Sequence, residues 1–349
     1  STAFGSSIAD VLQSIPASQI KTVEVITNPG AKYDAQGLGG IINIVLKNNK
    51  AKGYNGNLSL TTGTLNQNGS FNMNVRKNDF GMNAFVSGNK RLTSTSHSVS
   101  DRITTDSISN SLLHKEGIGR FERNGFEVGT GFDWTYKKVN SFSGSVSFNN
   151  FGNTGKGLTN QELWVDKTGT PPPILSVINS NYISTFKSID AGLNYKRTFK
   201  KEGRELELNA NTSFGNNRNT SNNQQALLPQ DSLFYGRQSN NPGKTNETEL
   251  KIDYTEPLQK DVILGVGAKA SYNNINSNSW VQAYDPNQQH YQPDPTLSND
   301  LEYHQKVYAF YSEMNFPVAK LLEVKIGGRY ERTEIESYYS NAQQQVKVP

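Results

Sequence analysis

The residues best able to do chemistry in this sequence are few and scattered. Its four histidines, His97, His114, His290 and His304, fall in segments expected to be loops or strand ends and share no metal-ligand spacing, so each reads as a solvated side chain. The stretch "NPGKTN" at 241–246 ends as a phosphate-binding loop does, but Gln238 stands where the first glycine is required, and a strand pattern follows in place of a helix. Gly129-Thr-Gly131 and Gly265-Val-Gly267 lack a third glycine and lie within strands, where small residues relieve crowding. Carboxylates are plentiful, yet nothing brings two of them to one substrate, so no catalytic residue, cofactor or metal site is nominated and the chain does not read as an enzyme. What remains is a set of aromatics in polar connections. Trp164, Tyr235, Trp280, Tyr284 and Tyr291, with Tyr182 and Phe234 beside them, can stack on sugars, peptides or chelated metals, and the first five are the candidate ligand contacts.

The elements that carry those side chains follow from composition and period. Of 349 residues, 34% are hydrophobic, and the mean hydropathy of -0.65 is poor for a conventional core. Disorder does not fit either, because aromatics make up 10% and charged residues only 19%. The polarity must be patterned. There is no apolar run long enough for a membrane helix and no signal peptide, and a start on Ser1 without Met suits a processed or excised piece. No cysteine is present, which excludes disulfides and thiolate metal sites. The formal charge of +4 is spread among interleaved acids and bases, so nucleic acid is not an expected partner, and charge says little about others.

Ile8, Val11, Leu12 and Ile15, behind Ser6 and Ser7 and before Pro16, predict a short amphipathic helix. Ile20–Thr27 and Gly40–Lys47 predict two strands. From about residue 53 the period is two. Phe126, Val128, Thr130, Phe132, Trp134 and Tyr136 share one face; Phe142, Val146 and Phe148, then Ile189, Ala191, Leu193 and Tyr195, repeat it, and so on to Val324, Ile326 and Tyr330. The opposite face holds Glu127, Asp133, Asp190, Glu207, Lys251, Asp253, Lys269, Glu313, Lys325 and Arg329.

A soluble sandwich or a membrane barrel would both alternate in this way. Connection lengths favour the barrel. Short links near 137–140, 197–204, 257–261 and 317–321 alternate with long ones near 150–186, 216–247 and 274–303, as tight periplasmic turns alternate with external loops. Aromatics such as Tyr136, Tyr195, Tyr254 and Phe316 before short turns, and Phe148, Phe214, Tyr272 and Tyr330 before long loops, match two interfacial girdles. The expected fold is therefore mainly β, an antiparallel transmembrane barrel of about eleven strands behind a small α+β segment. The last strand, ending near Ile335, is expected to run outward unpartnered, so the chain reads as truncated. A soluble or surface-attached β-rich binding or adhesion protein is the alternative.

The opening segment, "LQSIPASQIKTVEVITNPGAKYDAQGLGGIINIVLKN", resembles the C-terminal part of the plug domain of TonB-dependent outer-membrane receptors. Its signature is Asn28, Pro29, Tyr33, Asp34, Gly39, Gly40 and Asn43, with Val23, Val25, Ile41, Ile42 and Ile44 as burying residues and Gly37 as a further flexible point. The resemblance implies residues 1–50 as the C-terminal part of a plug and 51–349 as the N-terminal half of a barrel, since the family's barrels have twenty-two strands. It implies location in a Gram-negative outer membrane and energised uptake of an unidentified metal chelate, glycan or peptide. The implied partners are outer-membrane lipid, an extracellular ligand and the TonB complex, the last through a segment absent from this chain.

Overall fold

A computed structural model describes residues 20–26, 30–31, 41–46, 52–105, 110–165, 172–259, 261–318, 322–340 and 344–348. The expected helix at 7–15 lies outside them, as do Asn28, Pro29, Tyr33, Asp34, Gly37, Gly39 and Gly40. Among the described residues every regular element is a strand. β1 (Ile20–Ile26) and β2 (Ile41–Leu46) form a separate antiparallel pair in which Val25 faces Ile42 and Glu24 faces Asn43.

All other strands join one 13-stranded antiparallel sheet. In chain order they are β3 (Gly53–Thr62), β4 (Asn66–Lys77), β5 (Phe80–Thr105), β6 (Asn110–Tyr136), β7 (Asn140–Trp164), β8 (Ile174–Thr198), β9 (Glu205–Leu227), β10 (Ser232–Gln259), β11 (Val262–Asp285), the short β12 (His290–Pro293), β13 (Asn299–Val318), β14 (Leu322–Tyr339) and β15 (Gln344–Val348). Neighbours in sequence are neighbours in space, except that β12 folds back on β11 and β13 takes the next place in the wall. The sheet is open between β3 and β15. Tight turns at one end use the left-handed conformations such links need, at Asn78 (φ 55°), Lys137 (φ 52°), Lys138 (φ 59°) and Asp261 (φ 65°).

Two expectations are corrected. The long loops near 150–186, 216–247 and 274–303 are for most of their length paired strand, and β9 and β10 are joined by residues 228–231 alone. β14 does not run outward alone either, because β15 returns beside it with Ile335 opposite Val348. The physical reason is common to both. Apolar alternation marks a strand in the sequence only where one face meets lipid; it stops where both faces of the wall meet water, whereas the backbone ladder continues. β5 to β11 have 23 to 28 residues each, against the roughly 9–11 that cross a bilayer, so the wall projects far beyond the lipid.

Register, taken with the usual strand tilt of a barrel, sets the height of the apolar band. One hydrogen-bonded row runs Trp134, Phe142, Tyr195, Leu208, Ile252, Ala268, Phe310, Tyr330 across eight neighbouring strands, all on the apolar face. Seven steps of about 4.8 Å make ~34 Å, which at a 45° tilt climbs ~24 Å, the height of a barrel's apolar band. Trp134, near the tight turn, and Tyr330, on the far side, therefore mark opposite rims. At the lower rim Trp134, Tyr136, Phe142 and Tyr195 form a run of ring contacts with centroids 4.8–5.7 Å apart. At the upper rim Phe126 meets Phe148 at 5.8 Å and Tyr272 meets Tyr308 at 6.1 Å. These upper aromatics lie within strands, not before loops as expected.

The apolar face between the rims is uncovered. Leu193 is 62% exposed, Phe310 62% and Ile326 60%, and among the described residues no second sheet packs on them. A sandwich would bury this face.

Candidate functional site

The charged face is the inner wall, and it receives the only described part of the segment between β1 and β2. Gly30 and Ala31 lie against β13 and β14: a Cβ on Gly327 would be 3.0 Å from Ala31 Cβ and 2.9 Å from Glu313 Cβ, and a Cβ on Gly30 would collide with the Glu313 carboxylate. Glu313 Oε2 is buried and has no hydrogen-bond partner among the described residues, while its other oxygen is 3.5 Å from Lys325 Nζ. Odd-numbered residues of β14 thus meet this turn, and even-numbered ones, Ile326 and Tyr330, face outward.

Beside that seat lies a cluster built across β10, β11, β13 and β14. Register sets Asp253, Gly267, Tyr311 and Arg329 in one row. The Tyr311 ring is only 7% exposed and lies directly over Gly267, where any side chain would meet it. Its hydroxyl donates to Asp253 Oδ1 (2.8 Å), Lys251 Nζ is 3.2 Å from Asp253 Oδ2, and Lys251 and Arg329 approach the ring at 5.8 and 5.7 Å from its centroid. Arg329 is also held by Glu331 (2.6 Å), and Lys269 by Glu249 (2.6 Å). Asn149 and Ser188 both donate to Asp190 at 2.8 Å, and Arg76 pairs with Asp133 at 2.5 Å. Phe85 covers Gly129 as Tyr311 covers Gly267. Glycine is needed at both places so that a ring can lie flat across the neighbouring strand. The result is a polar wall of largely paired charges that can hold a polar filling and line a passage.

The nominated aromatics do not converge there. Trp164 closes β7, Tyr235 is on β10, Trp280 and Tyr284 on β11, and Tyr291 on β12, all on strands instead of in loops. By alternation Trp164, Trp280, Tyr284 and Tyr291 share the outer face, and only Tyr235, opposite Gln225, belongs to the inner one. Tyr284 and Tyr291 pack together, centroids 5.4 Å apart, and Gln224 donates to the Tyr291 hydroxyl (3.0 Å). Inside the projecting wall Gln161, Ser176 and Gln225 form a hydrogen-bonded trio that sequence reading did not single out. The histidines are likewise on strands, with His114 bound to Asp101 at 2.6 Å. "NPGKTN" lies wholly within β10, and Asn43 is on β2.

Towards the tight-turn end of β10, two residues past Tyr254, Glu256 accepts hydrogen bonds from Arg204 (2.7 Å), Lys201 (2.8 Å) and Tyr254 (2.7 Å), which tie the 199–204 turn to the wall.

Residues 197–348 match the model of the outer membrane protein beta-barrel family. That match covers the C-terminal 152 of the 349 residues, and the bare apolar face and charged inner face agree with it: the wall is that of an outer-membrane β-barrel. The barrel's likeness to solved structures is loose. It overlaps the ferric-catecholate import receptor Fiu of E. coli K12 with 10% identity over 94% of this chain and 66% of that one, at a TM-score of 0.32. For the ferric yersiniabactin uptake receptor FyuA of Yersinia pestis the figures are 10%, 92%, 57% and 0.34, and for the siderophore receptor PiuA of Acinetobacter baumannii 10%, 93%, 69% and 0.31. The chain thus spans 57–69% of those proteins' lengths, and such scores carry no argument of their own. No curated protein matches the barrel's sequence.

Proposed function

We propose that the barrel belongs to a TonB-dependent receptor, with residues 1–50 as the C-terminal part of its plug and 51–349 as the N-terminal half of its wall. The whole protein would take up an extracellular metal chelate, glycan or peptide, using proton-motive work transmitted through TonB. The observation that carries this reading is the seat of Gly30 and Ala31 on the inner face of β13 and β14, whose outer faces are bare and apolar. A polar lumen that already holds a turn of the preceding segment suits a plugged, gated passage better than an open pore.

The same contact supplies the test. The sequence contains no cysteine, so Ala31→Cys with Gly327→Cys introduces one thiol pair, at a spacing within reach of a disulfide after small adjustment. In the full-length protein in its own membrane, uptake of labelled ferric chelates, oligosaccharides and peptides is measured with and without a protonophore. We expect one class to accumulate, to stop with the protonophore, to stop on oxidation of the pair and to resume on reduction. Accumulation indifferent to both treatments would make the protein a passive channel.

A further inference from the structure

We propose that the outer face of β6 to β10 carries a docking strip for the phosphate of a net-anionic lipid headgroup, with Lys187, Arg218 and Lys244 at its centre and Arg120 and Lys156 at its flank. It rests on the orientation of the wall in the membrane, not on uptake, and survives if uptake fails.

These five residues lie one to a strand on five consecutive strands, and all five are exposed. Lys187 stands opposite Asn216, which stands opposite Lys244; Arg218, two residues further along β9, stands opposite Thr185 and Pro242. Arg120 is opposite Lys156, which is opposite Asn181. Alternation places each on the same face as the lipid-directed Phe126, Phe148, Ile189, Phe214 and Leu250 of its own strand. None of the five makes an ion pair among the described residues. Above the belt the outer faces of β8, β9 and β10 carry no carboxylate; the acids facing the same side are Glu116 and Glu122 of β6 and Glu162 of β7.

Depth selects the partner. Lys187 is two residues beyond Ile189, about 5 Å higher at a 45° tilt, and each successive strand is lifted ~3 Å by the register. All five fall in a band about 10 Å deep that begins at the upper aromatic rim, which is the headgroup layer within reach of long cationic side chains. Lys187, Arg218 and Lys244 line one groove with the amides of Asn216 and Asn276, and only its far end carries Asp300 and Glu302. Below, the apolar face has a trough floored by Ala210, Ala268 and Ala270 between Leu193 and Phe310. A phosphate at the cations with an acyl chain in the trough matches both in charge and in polarity.

The test uses the full-length protein in nanodiscs of equal phosphatidylglycerol and phosphatidylcholine, with the lipids retained counted by native mass spectrometry. Wild type should retain phosphatidylglycerol preferentially. Lys187→Gln with Arg218→Gln and Lys244→Gln should weaken that retention about 100-fold, given the contribution of each surface cation. Lys187→Arg with Lys244→Arg should keep it, and Ala268→Trp, which fills the trough and leaves the cations intact, should reduce it. Equal retention of the two lipids by wild type, or no change in the triple variant, would overturn the proposal. Displacement by millimolar inorganic phosphate would also overturn it, showing a free-anion site.

Discussion

Leu193→Arg should destabilise the folded barrel by about 2–4 kcal/mol in a bilayer, roughly 30- to 1000-fold in the folding equilibrium. By the usual reading of an exposed residue the substitution should be almost silent, since Leu193 is 62% accessible and touches no core, and such changes stay within about 0.5 kcal/mol. The cost arises only if the surroundings are acyl chains, which cannot solvate a guanidinium. The measurement is a denaturant titration of refolding into phospholipid vesicles. Ile326→Arg should behave alike, even though Lys325, the next residue, is a native cation. The two side chains point to opposite sides of the wall, and only one side is wet. Near-zero changes at both positions would mean that water bathes this face.

Gly267→Val should cost about 3 kcal/mol in the same titration, the upper range for overpacking a filled site. A Cβ at residue 267 would lie 2.5 Å from Tyr311 Cε2 and Cζ, so the ring must leave its place. With it go the hydrogen bond to Asp253 and the approach of Lys251 and Arg329 to the ring. Gly265→Ala, two residues away on the same face, is the control. Its Cβ would meet nothing nearer than Glu313 Cγ at 3.7 Å, so the change should be close to neutral. Equal effects at the two glycines would show that backbone freedom, not the ring above Gly267, accounts for the loss.

The lipid-spanning part of the wall was legible because its physics is local. Phe126 to Tyr136 and Ile189 to Tyr195 alternate since one side meets hydrocarbon and the other water, and this difference is written residue by residue. The strand ends that flank the short links, at Tyr136 and Asn140, Thr198 and Glu205, Gln259 and Val262, and Val318 and Leu322, fall close to their expected places for the same reason. Beyond the upper rim that contrast vanishes, so the outer halves of β7 to β11, rich in Asn, Ser and Thr, read as loops although their ladders are continuous. Trp280 and Tyr284 were nominated on that mistaken view, and their outward direction is set by a register that begins some twenty residues earlier. The cationic strip is invisible to a local reading of the sequence by the same logic. Lys156, Lys187, Arg218 and Lys244 are separated in sequence by about the length of a strand and its turn, so no local window contains two of them. Only pairing across the sheet gathers them.

Under the proposed uptake role, the continuous ladders above the membrane have a consequence for capture. Free loops lose chain entropy whenever they close on a solute, roughly 1–2 kcal/mol for each residue that becomes ordered. A funnel whose sides are already hydrogen-bonded from strand to strand avoids most of that penalty. Selectivity at such an entrance would come from a mouth of set width and set donor pattern, with fast arrival and little reshaping of the host.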